Sequence, residues 1–411
     1  MSTWTQTGPM PGPRSCALRP PAGAAGITED VDGAGSTPPV GELSSGCRPL
    51  ASGCRPVGYA VLAASVCLAV GSHAAAVERV AIAVDGGSFV LQPSGGRYVP
   101  WGHNYASTDI LKRLADDPAR VVRDFAEMKA AGATVVRVHP EMPRVLPGPG
   151  QVDPKALEQL GHLLTIAEEA DLHLMVTGLA CYKRDERMAW YDELDEERRW
   201  ATQAFFWETI ARTCARSPAV FAYDLVNEPV AVGKPAEGWY GGRMGDVEFC
   251  QRLSLDRAGR TGDDIFGAST RRMIAAIRVH DEPRLITMGL LPFPGASRAA
   301  QAQLDFVSPH LYPETGKVHG EIELLQRFVC GKPIVIGETF PLKCGIDEER
   351  EFLLASRAFA RGWIGHWPDE SPVALAERKQ NGSATMAEAL WLAWVELFEE
   401  LSPAMAGEAG P

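Results

Sequence analysis

The chain repeats one arrangement along most of its length: a short apolar run, then a stretch with apolar residues at helical spacing, then another apolar run. The runs end at Asn104 and cover residues 134–139, 172–177, 221–227, 285–288, 306–308, 334–336 and 363–366. Continuous apolar character marks strands buried on both faces, which parallel sheets require. Between them, Asp117-Pro118 and Asp153-Pro154 each set a capping carboxylate before a proline in the first helical position. Leu157, Leu160, Leu164 and Ala167 then share one helix face. Further helices are expected over 196–215, to about His280, over 299–304 and over 384–401. Eight such strand–helix units predict an α/β fold, a (β/α)8 TIM barrel. Ahead of it, residues 80–84 and 89–91 flank Asp85-Gly-Gly and predict an N-terminal β-hairpin that plugs the bottom of the barrel.

Composition sets the boundaries. Residues 1–56 are rich in Pro and Gly with few large apolar side chains, so a disordered extension is expected, with a true start near Val57. Residues 57–76 are uncharged and apolar, follow Arg55 and end near Ser72-His-Ala74. They read as a signal peptide cleaved after Ala74, or as a membrane anchor near residues 57–77. A secreted, cell-surface or periplasmic protein is expected. The catalytic domain is assigned to 77–403 and a disordered tail to 404–411. At 45% hydrophobic and 22% charged, the chain holds enough apolar residues for one large core. A net charge of −12 argues against a nucleic-acid partner. Nine cysteines show no metal-type spacing, and Cys47 and Cys54 have no second pair or His nearby. No metal or phosphate motif is present, so neither metal nor cofactor is expected.

The chemistry lies at the strand ends. Ala222-Tyr-Asp-Leu-Val-Asn227-Glu228-Pro229 and Pro333-Ile-Val-Ile-Gly337-Glu338 each bring a glutamate out of a buried strand, and Phe306-Val-Ser-Pro-His310-Leu-Tyr312 ends in proton-handling residues. A lone strand-end glutamate is more often a solvated loop residue. Two facing one cleft are the minimum for cleaving a glycosidic bond with two carboxylates.

Together with Arg137 in Val135-Val-Arg-Val-His139 and Trp367 in Trp363-Ile-Gly-His-Trp367, these residues resemble a clan A glycoside hydrolase, closest to glycoside hydrolase family 5, over residues 84–401. The family pattern is Arg on strand 2, Asn-Glu on strand 4, His-x-Tyr on strand 6, Glu on strand 7 and Trp on strand 8. A His common at the end of strand 3 is missing, and His173 sits at the start of that run. The resemblance implies a retaining β-glycosidase of the cellulase and mannanase group, acting on an oligosaccharide or polysaccharide, with Glu228 as acid/base and Glu338 as nucleophile. Arg137 and Tyr312 are the candidates to keep Glu338 ionised. Asn227 is expected on the sugar 2-hydroxyl, His310 beside the acid/base and Trp367 as a sugar platform. His103, Asn104, Tyr105 and His139, at the ends of strands 1 and 2, are expected to shape the glycone subsite. Trp190, Tyr191, Trp239 and Tyr240 are candidates for outer subsites. The competing readings are a non-catalytic carbohydrate-binding barrel and a barrel lyase or isomerase with a strand-end Glu as base.

Overall fold

The computed structural model describes residues 77–105, 109–179, 182–183 and 186–406. The extension at 1–56, the apolar segment at 57–76 with its cleavage site, Cys47, Cys54 and residues 407–411 lie outside these. Strands β1 (Arg79–Ile82), β2 (Phe89–Gln92) and β3 (Arg97–Tyr98) form a small antiparallel sheet. There follow β4 (Trp101–Tyr105), α1 (Ile110–Asp116), α2 (Pro118–Ala130), β5 (Val135–Val138), α3 (Met142–Val145), α4 (Pro154–Glu169), β6 (His173–Thr177) and β7 (Tyr182–Lys183). Next come α5 (Ala189–Asp192), α6 (Glu196–Cys214), β8 (Val220–Asn227), β9 (Pro229–Ala231), β10 (Tyr240–Met244), β11 (Val247–Ser254), α7 (Gly262–Arg278) and β12 (Leu285–Leu290). The chain ends with α8 (Arg298–Gln301), β13 (Ser308–Pro309), α9 (Val318–Gln326), β14 (Val335–Ile336), α10 (Ile346–Ser356), β15 (Gly362–His366), α11 (Pro372–Gln380) and α12 (Met386–Ala406). The expected boundary after residue 403 thus falls inside the final turns of α12.

Eight parallel strands pair in the order β13-β12-β8-β6-β5-β4-β15-β14. Parallel bridges from Val307 to Ile334 and from His310 to Glu338 join β13 to β14 and close the ring. This is the (β/α)8 barrel that the alternation predicts. Asp117 and Asp153 cap α2 and α4 by accepting from Arg120 N and Lys155 N, with proline in the first turn of each helix. The hairpin seals the end where the strands begin. Phe89 lies edge-on to Phe221 and Phe306, with ring centroids 5.3 and 5.4 Å away. His173 bonds the Glu78 carbonyl at this same end, far from the chemistry.

The Gly-rich stretch after β8 is more ordered than its composition suggests. β10, β11 and β7 form a sheet, and β9 pairs in parallel with β11. Helix α7 begins at Gly262, ahead of the expected start beyond Gly267, because Thr261 and Asp264 form a reciprocal capping box. The four aromatics of the neighbouring loops are packing, not outer subsites. The Arg199 guanidinium lies 3.6 Å from the Tyr191 ring centroid and 4.5 Å from that of Trp239, while the Tyr240 hydroxyl donates to Asp192. Trp190 packs edge-on to Tyr191. Among the described residues no helix is long and apolar enough to cross a membrane.

Candidate active site

Strand alternation decides which side chains reach the barrel axis. On β5, Val135 joins the apolar plug while Val136 and Val138 pack on the helices. Arg137 and His139 therefore climb the axis above Val135. On β8, Asp224 follows Ala222 inward. A register shift against β12, with Thr287 opposite Asp224 but Gly289 opposite Asn227, lets Asn227 point inward too. Glu228 then takes a left-handed backbone (φ 47°), with its N–H donating to the Gly289 carbonyl at 2.9 Å. That conformation is costly for a residue with a Cβ, and it turns a second consecutive side chain toward the axis.

Arg137 is fully buried and organises the floor of the site. Its Nε and Nη2 donate to Asp224 Oδ2 at 2.9 and 2.7 Å, and Nη2 also donates to Asn227 Oδ1 at 2.9 Å. Its Nη1 donates to Asn104 Oδ1 at 2.6 Å and to Glu338 Oε1 at 2.7 Å, and lies 3.3 Å from His139 Nε2. Asp224 accepts further bonds from Thr177 Oγ1 and Gly289 N. A buried ion pair is tolerable only with its remaining polar atoms satisfied, and this one meets that condition. Arg137 thus pairs with a structural carboxylate and reaches the candidate nucleophile as well. Burial, then the Arg137 charge, holds His139 well below the ordinary imidazole range, so it sits there neutral.

The two glutamates have different company. Glu338 accepts from Arg137 and, on Oε2, from the Tyr312 hydroxyl at 2.5 Å; His310 Nδ1 and His366 Nε2 lie 3.5 and 3.9 Å away. Burial alone would raise its pKa, but His310, Arg137, His366 and the phenol outweigh burial and hold the carboxyl well below the usual range. Burial and the Glu338 charge in turn keep Tyr312 protonated. Among the described residues no Arg or Lys bonds Glu228. Its Oε1 lies 3.0 Å from His310 Nδ1, and its Oε2 accepts from the Cys250 thiol at 3.6 Å. Gly289 leaves room for this: a Cβ there would stand 2.7 Å from His310 Nε2. Glu228, His310 and Glu338 bring one donor atom each within 4.8 Å of one another. A cation there would compete with the guanidinium already on Glu338, so these residues do not read as metal ligands.

The structure thus gathers Asn104, Arg137, His139, Asn227, Glu228, His310, Tyr312 and Glu338 into one network. Three expected members are elsewhere. Tyr105 is buried against the helix layer, where its hydroxyl donates to Asp124 Oδ2 of α2 at 2.5 Å. His103 alternates with Asn104 and so points at the helix layer, where its ring centroid is 3.9 Å from that of Phe398 on α12; burial lowers its pKa to about 3. Trp367 lies one residue past the inward position of β15, is 7% exposed, and packs edge-on to His103, so it presents no platform. The inward residue is His366, whose Nε2 is 2.9 Å from the Tyr312 hydroxyl. Asp224, Cys250 and His366 are the additions. Counting inward positions from Ala222 and Ile364 would have found Asp224 and His366; nothing local marks Cys250.

A family model for cellulase, glycosyl hydrolase family 5, matches residues 96–329. The chain belongs to glycoside hydrolase family 5. Among solved structures, this family 5 chain is similar to the exo-β-1,4-mannosidase Op5Man5 from Opitutaceae bacterium strain TAV5, at 19% identity and a TM-score of 0.58. The match covers 78% of this chain and 62% of that one, so the chain spans less than two thirds of the mannosidase's length. It is also similar to GH5_18 from Bifidobacterium longum subsp. longum (15% identity, TM-score 0.55, covering 76% and 80%) and to an endogalactoceramidase (16%, 0.53, covering 78% and 84%). At these identities the likeness establishes the fold. Comparison with curated proteins returns no significant match. Family membership and the paired carboxylates at the strand ends together point to glycoside chemistry.

Proposed function

We propose that the enzyme is a retaining β-glycosidase working by double displacement, with Glu338 as nucleophile and Glu228 as acid/base. The unequal company of the two carboxyls carries this reading. Glu338 is held ionised by Arg137 and Tyr312, as a nucleophile must be. Among the described residues Glu228 is met by His310 and the Cys250 thiol and by no Arg or Lys, which suits the group that passes a proton to the leaving oxygen. Carboxylate oxygens of the two approach within 4.8 Å. That supports a retaining mechanism, in which the carboxyl groups stand about 5–5.5 Å apart.

Glu338 attacks the anomeric carbon while Glu228 protonates the departing oxygen. Glu228 then takes a proton from water, which releases the sugar from Glu338. A β-linked glucan, mannan or related glycoside is the proposed substrate. In support, the similar Op5Man5 is named for β-1,4-mannosidase activity, and a variant of the Bifidobacterium GH5_18 was solved with Manb1-4GlcNAc. Export through the segment at 57–76 belongs to the same proposal, and N-terminal sequencing of secreted protein tests it.

Azide rescue tests the roles. Glu338→Ala should lose turnover of unactivated substrates and regain cleavage of an activated aryl glycoside with azide, giving a product of inverted configuration. Glu228→Ala should spare good aryl leaving groups and give an azide product of retained configuration. Exchanged products mean exchanged roles; full activity in both variants removes this site from consideration.

A further inference from the structure

A cavity of about 420 Å³ opens beside the site, and its walls begin one residue beyond two positions that define it. Glu228 N–H donates to the Gly289 carbonyl, tying the ends of β8 and β12 together. The next residues of both strands, Pro229 and Val230 on one side and Leu290 and Leu291 on the other, line the cavity. Phe266 of α7 backs it, and Phe293 stands at it with 62% of its surface exposed. The charged groups on its wall are engaged: Arg257 Nε donates to the Val232 carbonyl, and Asp263 accepts from Ala299 N. The remaining surface is largely hydrocarbon. An apolar cavity of this size, with its few charged groups engaged and an exposed phenylalanine at it, has the form of a binding site.

Its side of the site fixes what it would hold. With Glu228 as proton donor, a role this inference rests on, the leaving group departs on the Glu228 side. The group that reaches the cavity is therefore the aglycone, not the sugar that bonds to Glu338. We infer that the cavity binds an apolar aglycone, and that the substrates include β-glycosides of long-chain alcohols.

The test compares methyl and octyl β-glycosides of the sugar that the enzyme accepts as an aryl glycoside, with the octyl compound below its micelle concentration. A fully buried methylene is worth about fourfold in affinity. Partial burial of the chain should raise kcat/KM for the octyl glycoside by at least about tenfold over methyl, mostly through KM. Phe293→Ala and Leu291→Asn, both at solvent-accessible positions, should bring that ratio down toward one. Val373→Ser, on the exposed face of α11, should leave it as in the wild type. Equal efficiencies for methyl and octyl glycosides, or an octyl preference that both cavity variants retain, overturn this inference alone. Failure to cleave any glycoside overturns the roles of Glu228 and Glu338 beneath it.

Discussion

One phenol helps to set the surroundings of the two glutamates apart. Tyr312 donates to Glu338 and also touches His366, so Tyr312→Phe removes a donor without opening a large cavity. Loss of one donor aimed at a charged reacting group costs about a hundredfold in kcat in comparable sites, and about ten- to a hundredfold is expected here with little change in KM. The same contact adds to His310, Arg137 and His366 in depressing the Glu338 pKa, which bears on a pH limb. A carboxyl whose pKa is depressed in the folded enzyme stays ionised as pH falls past about 4.3, the free value. The acid limb of kcat/KM should therefore lie below that pH in the wild type and move upward in Tyr312→Phe. A wild-type limb at or above it would contradict the ionised state assigned to Glu338. These residues were legible from sequence because each sits at an inward position of a recognisable strand. His103 and Tyr105 flank the inward Asn104, and Trp367 follows the inward His366, so each stands one residue of alternation from the axis. A strand end read without its phase leaves both faces open.

Cys250 was illegible for a different reason: the stretch that carries it gave no element at all. Its glycines read as loop, yet they allow the β10–β11 hairpin to fold tightly against the site. Gly242 has φ 61°, and a Cβ there would stand 2.5 Å from the Phe249 ring and 2.9 Å from Cys250 Sγ. Asn227 Nδ2 donates to the Phe249 carbonyl, which fastens the hairpin to the strand that carries Glu228. Gly242→Val should consequently displace the thiol from Glu228. Activity toward poor leaving groups is expected to fall by about tenfold or more, while the circular dichroism of the barrel stays unchanged. Equal loss for good and poor leaving groups would show that the hairpin does not act through the proton donor. Helix α10 offers a second element-scale prediction. Its Glu349 is buried, and burial raises its pKa to about 7 despite bonds from Thr339 Oγ1 and Cys344. The folded state thus holds this proton more tightly than the unfolded chain, whose carboxyl titrates near the ordinary value. Stability from this group is present at low pH and is lost as pH rises from about 4.5 through 7, by roughly 3 kcal/mol in all. Glu349→Gln should abolish that decline, read from urea unfolding at pH 5 and pH 8. An identical decline in the variant would assign it elsewhere.

At the scale of the molecule, the alternation of strands and helices was readable throughout because a parallel barrel repeats one local rule eight times. What no local rule announces is the Arg137–Asp224 pair, since a buried charge is intelligible only from across the barrel. Arg137→Met should destabilise the fold by about 3–5 kcal/mol, because it strands a buried carboxylate. Adding Asp224→Asn should recover part of that loss in urea melts without restoring turnover. A double variant no more stable than the single one would mean that the carboxylate is satisfied by Thr177 and Gly289 alone. The closure of the barrel has a consequence of its own. The last rung between its first and last sheet-edge partners is the bond from Leu311 N to the carbonyl of Glu338, beside the His310–Glu338 bridge. Turnover is thus a gauge of whether the cylinder is shut. On gentle heating, a parting of this join would silence the enzyme while its helices still rotate light as they do in the cold, and cooling would bring both back into step.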